Sequence, residues 1–187
     1  MDSSDYRERL RGQIEESYGK LSYTYQTQQE AATLKRTMAN CISNGQIFLT
    51  AVSTCGLITV LFGQGGNGAI VAAIASAIAL AINLYARGTK LPEEAEGHVC
   101  CANRLWAVLQ DYESLLTDFD DLEVGEIRRC RDLFIENQAE IYAEAPRTSN
   151  RAYKKARKRL KNGHQSFEPG EIDKLLPSRL RSHAREE

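Results

Sequence analysis

From Thr37 to Ala86 the chain runs for 50 residues without one Asp, Glu, Lys or Arg, although it carries 24 basic and 25 acidic residues elsewhere. So long an uncharged stretch has to be shielded from water, either by lipid or by a thick apolar shell. The charged remainder is too polar to supply a shell. Within the stretch, "LFGQGGNGAIVAAIASAIALAI" (Leu61 to Ile82) places Gly63, Gly65 and Gly68 in GxGxxG spacing. A dinucleotide-binding turn of that spacing needs a short strand before it, a helix with a solvated face after it, and an acid about 20 residues on. Here Cys41 to Phe62 is too long for a strand, Gly68 to Ala86 is apolar around most of its circumference, and Gly88 to Lys90 holds no carboxylate. The glycines are therefore read as the tip of a hairpin, a turn at 63–67 between spans at about 41–62 and 68–86. Each span is long enough as a helix to cross about 30 Å of hydrocarbon.

Lys35 and Arg36 precede the first span, Arg87 and Lys90 follow the second, and the turn has no basic residue. By the positive-inside rule both termini are expected in the cytoplasm. The charged opening "MDSSDYRERLRGQ" is expected to carry no secretory signal. The organisation predicted is an N-terminal amphipathic helix over 1–36, a transmembrane hairpin over 37–86 and a C-terminal helical region over 87–187, together forming one domain.

Polar residues inside a span carry information, because lipid-facing positions favour apolar side chains. At 100° per residue, Ser43, Gln46, Thr50, Ser53 and Thr54 fall within one arc of about 100°, which continues through Leu57 and Leu61. The arc is either a helix contact held by hydroxyls or the wall of a pore, wet at its cytoplasmic mouth and closed by an apolar ring at Leu57 and Leu61. One hairpin cannot enclose a channel. The pore reading therefore calls for a homo-oligomer, with Asn83 of the second span at the same mouth. The step Ala72-x-x-x-Ser76 is the expected packing face between subunits.

Outside the hairpin no alternating strand pattern occurs, and the fold class predicted is all-α, a two-transmembrane hairpin with a cytoplasmic helical bundle. Leu10, Ile14, Tyr18, Leu21 and Tyr25 keep helical spacing, as do Val99 to Phe119 and Ile127 to Ile141. Thr148, Ser149 and Asn150 are candidate caps for a helix running to about Lys161, where Asn162-Gly163 stops it. A further short helix is expected near Pro169 to Leu176. Charge is partitioned along the chain: Arg87 to Ala145 is net −8 and Pro146 to Glu187 net +7. The basic helix "RAYKKARKRLK" offers Arg151, Lys154, Lys155, Arg157 and Lys158. These residues suit pairing with the acidic stretch Asp111 to Glu126, contact with anionic lipid, or a phosphorylated signal. There is no clear nucleic-acid site.

Catalytic signatures are missing. His98, His164 and His183 have no Ser or Cys partner in motif context, and no phosphate loop, metal triad or paired carboxylates appear. His98 with Cys100 and Cys101 lacks a second cluster to complete a metal site, so no metal or cofactor is expected. With Cys41, Cys55 and Cys130 the cysteines are odd in number, which indicates no disulfide framework.

The blocks "YGKLSYTYQTQQEAATLKR", "ANRLWAVLQDYESLLTDFD", "RRCRDLFIENQAEIYAEAPRT", "AYKKARKRL" and "EIDKLLPSRLR", in that order, resemble the SLATT family, two-transmembrane effector domains associated with SMODS nucleotide cyclases and SLOG sensors. The likeness runs from about Arg7 to Arg181. It implies a non-enzymatic effector of a prokaryotic conflict or anti-phage system in the bacterial inner membrane. Such an effector is pore-forming or membrane-disrupting and is switched on by a nucleotide second messenger or a sensor protein. The alternative is a non-conducting anchor that presents a helical interaction module. A soluble oligomer hiding its hairpins in a shared core is a distant third.

Overall fold

A single helix, α1 (Ser3–Leu61), carries the N-terminal amphipathic segment and the first span without a break. The helix expected over 1–36 and the span expected at about 41–62 form one rod of 59 residues, about 90 Å long, as a hairpin continuing from the cytoplasmic helices requires. Nothing between Arg36 and Cys41 stops a helix, since that stretch contains neither Pro nor Gly. The computed structural model describes residues 3–61, 66–163 and 171. Most of the expected turn, the short helix expected near Pro169 to Leu176 and the closing block "EIDKLLPSRLR" fall outside the described residues, save Glu171.

The second span is α2 (Gly66–Gly88), followed after two residues by α3 (Leu91–Thr117). Pro92 sits in the first turn of α3, where a missing N–H costs nothing. α4 (Val124–Glu144) returns along α3, and α5 (Asn150–Lys161) rests on α1. Ser149 caps α5, its hydroxyl accepting from the Ala152 amide at 3.2 Å. Gly163 follows at φ 72°, the left-handed geometry that glycine adopts freely. Every described element is helical.

α2 and α3 together form one antiparallel partner for α1. Gly56 faces Ala72, Ser53 meets Ser76, Gln46 meets Asn83, Lys35 meets Glu94, Gln28 meets His98 and Arg7 reaches Phe119. The residue numbers of these pairs add to between 126 and 129, so one register spans the whole length. The hairpin and the bundle are therefore two ends of the same helix pair.

The bundle core lies between the N-terminal half of α1, α3 and α4. Leu10, Ile14, Leu21, Leu105, Leu109, Tyr112 and Ile127 are buried there, with Tyr18, Tyr25 and Phe134 packed against them. Tyr112 and Phe134 meet edge to face with centroids 5.1 Å apart. At the distal tip Phe119, just past α3, is 1% exposed beneath the guanidiniums of Arg7 and Arg11.

Candidate functional site

The hairpin has almost no core of its own. Between Ile47 and Tyr85, eleven large apolar side chains among the described residues stand at least 46% exposed, including Phe48, Ile70, Leu80 and Leu84. Withdrawing each from water is worth about 1 kcal/mol at half exposure, or about 10 kcal/mol in all, comparable with the stability of an entire domain. None of the most apolar window of α1 is buried, and only 11% of that of the second candidate span. A buried core helix of a soluble protein would be covered. Both helices are long and apolar enough to cross a membrane.

What holds the hairpin together is close approach of small residues. Gly56 sits where a Cβ would stand 2.7 Å from the Ala72 Cβ and 2.9 Å from the Gly68 carbonyl oxygen. Ala72 and Ala75 are buried at 2% and 5% exposure. Two polar pairs flank this seam: Gln46 Nε2 donates to Asn83 Oδ1 at 3.0 Å, and the Ser76 and Ser53 hydroxyls lie 3.1 Å apart. Ala72 and Ser76, expected between subunits, also meet the first span of the same chain, and Ser76 stays exposed.

The polar arc of α1 divides accordingly. Gln46 and Ser53, on its edge toward α2, are half-buried in the seam. Ser43, Thr50, Thr54 and Leu57 point outward and are exposed, within about 60° of one another at 100° per residue. The Thr50 hydroxyl donates to the Gln46 carbonyl at 2.8 Å and that of Thr54 to the Thr50 carbonyl at 2.9 Å, so both hydroxyls already have a partner in their own helix. Asn83 is exposed beside them. The Leu61 side chain lies outside the described residues.

Where the helix pair leaves the apolar zone, polar contacts replace the small-residue seam. Lys35 pairs with Glu94, and Arg36 with Glu96 at 3.4 Å. One turn further, Gln26, Thr27, Gln28, Glu30 and His98 are all buried. His98 Nδ1 lies 2.5 Å from Gln28 Oε1, and Gln28 Nε2 donates to the Pro146 carbonyl at 3.2 Å, tying α1, α3 and the lead-in to α5. Burial, with the Lys35 ammonium in support, holds the His98 pKa below its ordinary value. Glu94 opposes this. The His98 ring is thus engaged with Gln28, and sequence reasoning missed the polar knot because it depends on which residues face one another across α1 and α3, which spacing along one helix does not encode.

The basic helix keeps Ala152 and Ala156 fully buried against its neighbours, and Arg159 Nε reaches the 3% exposed Glu30 carboxylate at 2.9 Å. Arg151, Lys154, Lys155, Arg157 and Lys158 are exposed. The acidic stretch expected to pair with them ends at the far tip, where Asp120 meets Arg11 at 3.3 Å. Glu30 and Arg11 are separated along α1 by about 28 Å. The fold thus sets the acidic tip apart from the basic face, with α4 between them in the chain.

The description that fits this architecture is a matched family model: SMODS and SLOG-associating 2TM effector domain family 4 covers residues 10–171. No curated protein and no solved structure matches the chain.

Proposed function

The chain belongs to the SMODS and SLOG-associating 2TM effector domain family 4, effector domains of conflict and defence systems. On that premise we propose that several copies assemble in a prokaryotic inner membrane into a permeation path, both termini cytoplasmic, and that opening it arrests or kills an infected cell. The observation that carries the reading is the outward arc of Ser43, Thr50, Thr54 and Leu57, polar at its cytoplasmic half and left uncovered by the hairpin's own seam. An uncovered polar arc in lipid is better placed with a neighbouring chain or water beside it. A ring of copies supplies both, with Leu57 and Leu61 closing the outer half by dewetting. A sensor protein or nucleotide signal acting on the bundle would move the hairpin, because one helix register joins them. The proposed path calls for no catalytic group.

Purified protein in dye-loaded liposomes tests this. Leu57→Ser with Leu61→Ser is expected to raise leakage at equal insertion by wetting the apolar ring. Leakage unchanged from the parent chain contradicts the assignment of those leucines.

One observation favours the non-conducting anchor instead. Thr50 and Thr54 spend their hydroxyls on the carbonyls of their own helix, which lets such residues face lipid cheaply. That reading predicts toxicity that survives replacement of Ser43, Thr50, Ser53 and Thr54 by Leu.

A further inference from the structure

We propose that the outer face of α5 docks on anionic phospholipid headgroups of the membrane that holds the chain's own hairpin. Pro146, just ahead of α5, meets Gln28, and Arg159, near its end, meets Glu30. The lead-in to α5 and its last turn thus both touch α1 within one turn, at Gln28 and Glu30, which fixes the level of α5 on that long helix.

Its height is set by the same contacts. Glu30 precedes Lys35 by five residues, about 7.5 Å along the axis, and Lys35 and Arg36 are the last charges before the uncharged run begins. At physiological ionic strength that separation is about one Debye length, so headgroup charge is felt at α5.

The face turned away from Ala152 and Ala156 carries Arg151, Lys154, Lys158 and Lys161, all exposed. Asn150, Arg151, Lys154, Lys155 and Lys158 line a shallow hollow there. Of the α5 cations, Arg159 is the one with an ion pair among the described residues. The chain's own acidic tip lies about 28 Å away along α1. Copies inserted in one orientation hold their acidic tips at the same far height. Nearer the membrane, Glu94, Glu96 and Glu144 are already paired with Lys35, Arg36 and Arg104. The extended anionic surface at that height is the bilayer, which attracts Lys and Arg clusters held near it.

The inference rests on the membrane-spanning reading. Co-elution of the full chain with nanodiscs tests that reading, and the α5 footprint tests this one. Lysine acetylation is followed by mass spectrometry in nanodiscs of phosphatidylcholine alone and with phosphatidylglycerol added. Phosphatidylglycerol is expected to slow modification of Lys154, Lys155 and Lys158 by about threefold or more, with recovery in 1 M salt, where the Debye length is about 3 Å. Lys20, on the distal half of α1, should be unaffected. Lys154→Glu with Lys158→Glu should abolish the lipid dependence at Lys155. Equal rates in the two nanodiscs overturn the proposal. So does equal slowing at Lys20, or slowing by inorganic phosphate in phosphatidylcholine nanodiscs without an effect of phosphatidylglycerol, which would assign the face to a soluble anion.

Discussion

At the scale of single residues, the seam at Gly56 governs the hairpin. Gly→Ala in a helix interior ordinarily gains up to about 1 kcal/mol. At Gly56 the added methyl would meet Ala72 and the Gly68 carbonyl, neither of which is the end of a flexible side chain. Gly56→Ala is therefore expected to lower thermal stability in detergent or nanodiscs, whereas Gly12→Ala, with nothing within 4 Å, should raise it or leave it unchanged. A Gly56→Ala chain as stable as the parent would show that the seam can open without cost. Tyr112 offers a second test in the bundle. Its ring is fully buried, its hydroxyl lacks a partner at hydrogen-bonding geometry, and burial raises its pKa. Removing an unpartnered hydroxyl costs little, so Tyr112→Phe should change stability by less than about 1 kcal/mol, while Tyr112→Ala should cost about 3–5 kcal/mol. Chemical denaturation of the two variants separates them; a large loss in the Phe variant would reveal a hydrogen bond to a neighbour such as Ser17.

At the scale of elements, α5 is held by Glu30 and Arg159, and the α1/α3 exit by His98 and Gln28. Arg159→Ala leaves a buried carboxylate without its cation, and a loss of about 1–3 kcal/mol is expected, with Arg159 half-exposed. A double-mutant cycle with Glu30→Gln should recover part of it. Purely additive losses would mean that the two side chains do not interact. The His98 effect has a definite sign. Its folded pKa lies below the unfolded value near 6.5, so the unfolded chain takes up the proton first. Stability is full above about pH 6.5 and falls as the pH drops below it. Melting in detergent from pH 7.5 to 5 should show this loss, and His98→Gln should flatten it. An equal slope in both proteins would place the titrating group elsewhere. The elements themselves were largely legible in sequence. Leu10, Ile14 and Leu21 keep core spacing, Ser149 caps, and Asn162-Gly163 stops α5. One feature was not. The facing partners of Gln46 and Ser53 depend on register between helices, which spacing along one helix does not encode. The same limit hid the contact of Ala72 and Ser76 with the first span.

At the scale of the whole molecule, one antiparallel register carries the chain from Phe119 at the distal tip to Ala72 in the apolar hairpin. A bundle rearrangement therefore has a rigid route to the spans, and the exposed arc of Ser43, Thr50, Thr54 and Leu57 is where the proposed path would respond. The large uncovered apolar surface was legible from the uncharged run alone, whereas the division of the polar arc into a seam edge and an outward edge required both helices. Cysteine accessibility tests the central claim most directly, because the cytoplasmic half of the path should be wet even while Leu57 and Leu61 hold it shut. In membranes bearing the chain with its native cysteines replaced, Thr50→Cys should react with a charged thiol reagent applied from the cytoplasmic side. Phe48→Cys, at nearly the same depth and 66% exposed on another face, should not. Protection of both positions, or equal reaction at both, would contradict a water-lined path along this arc.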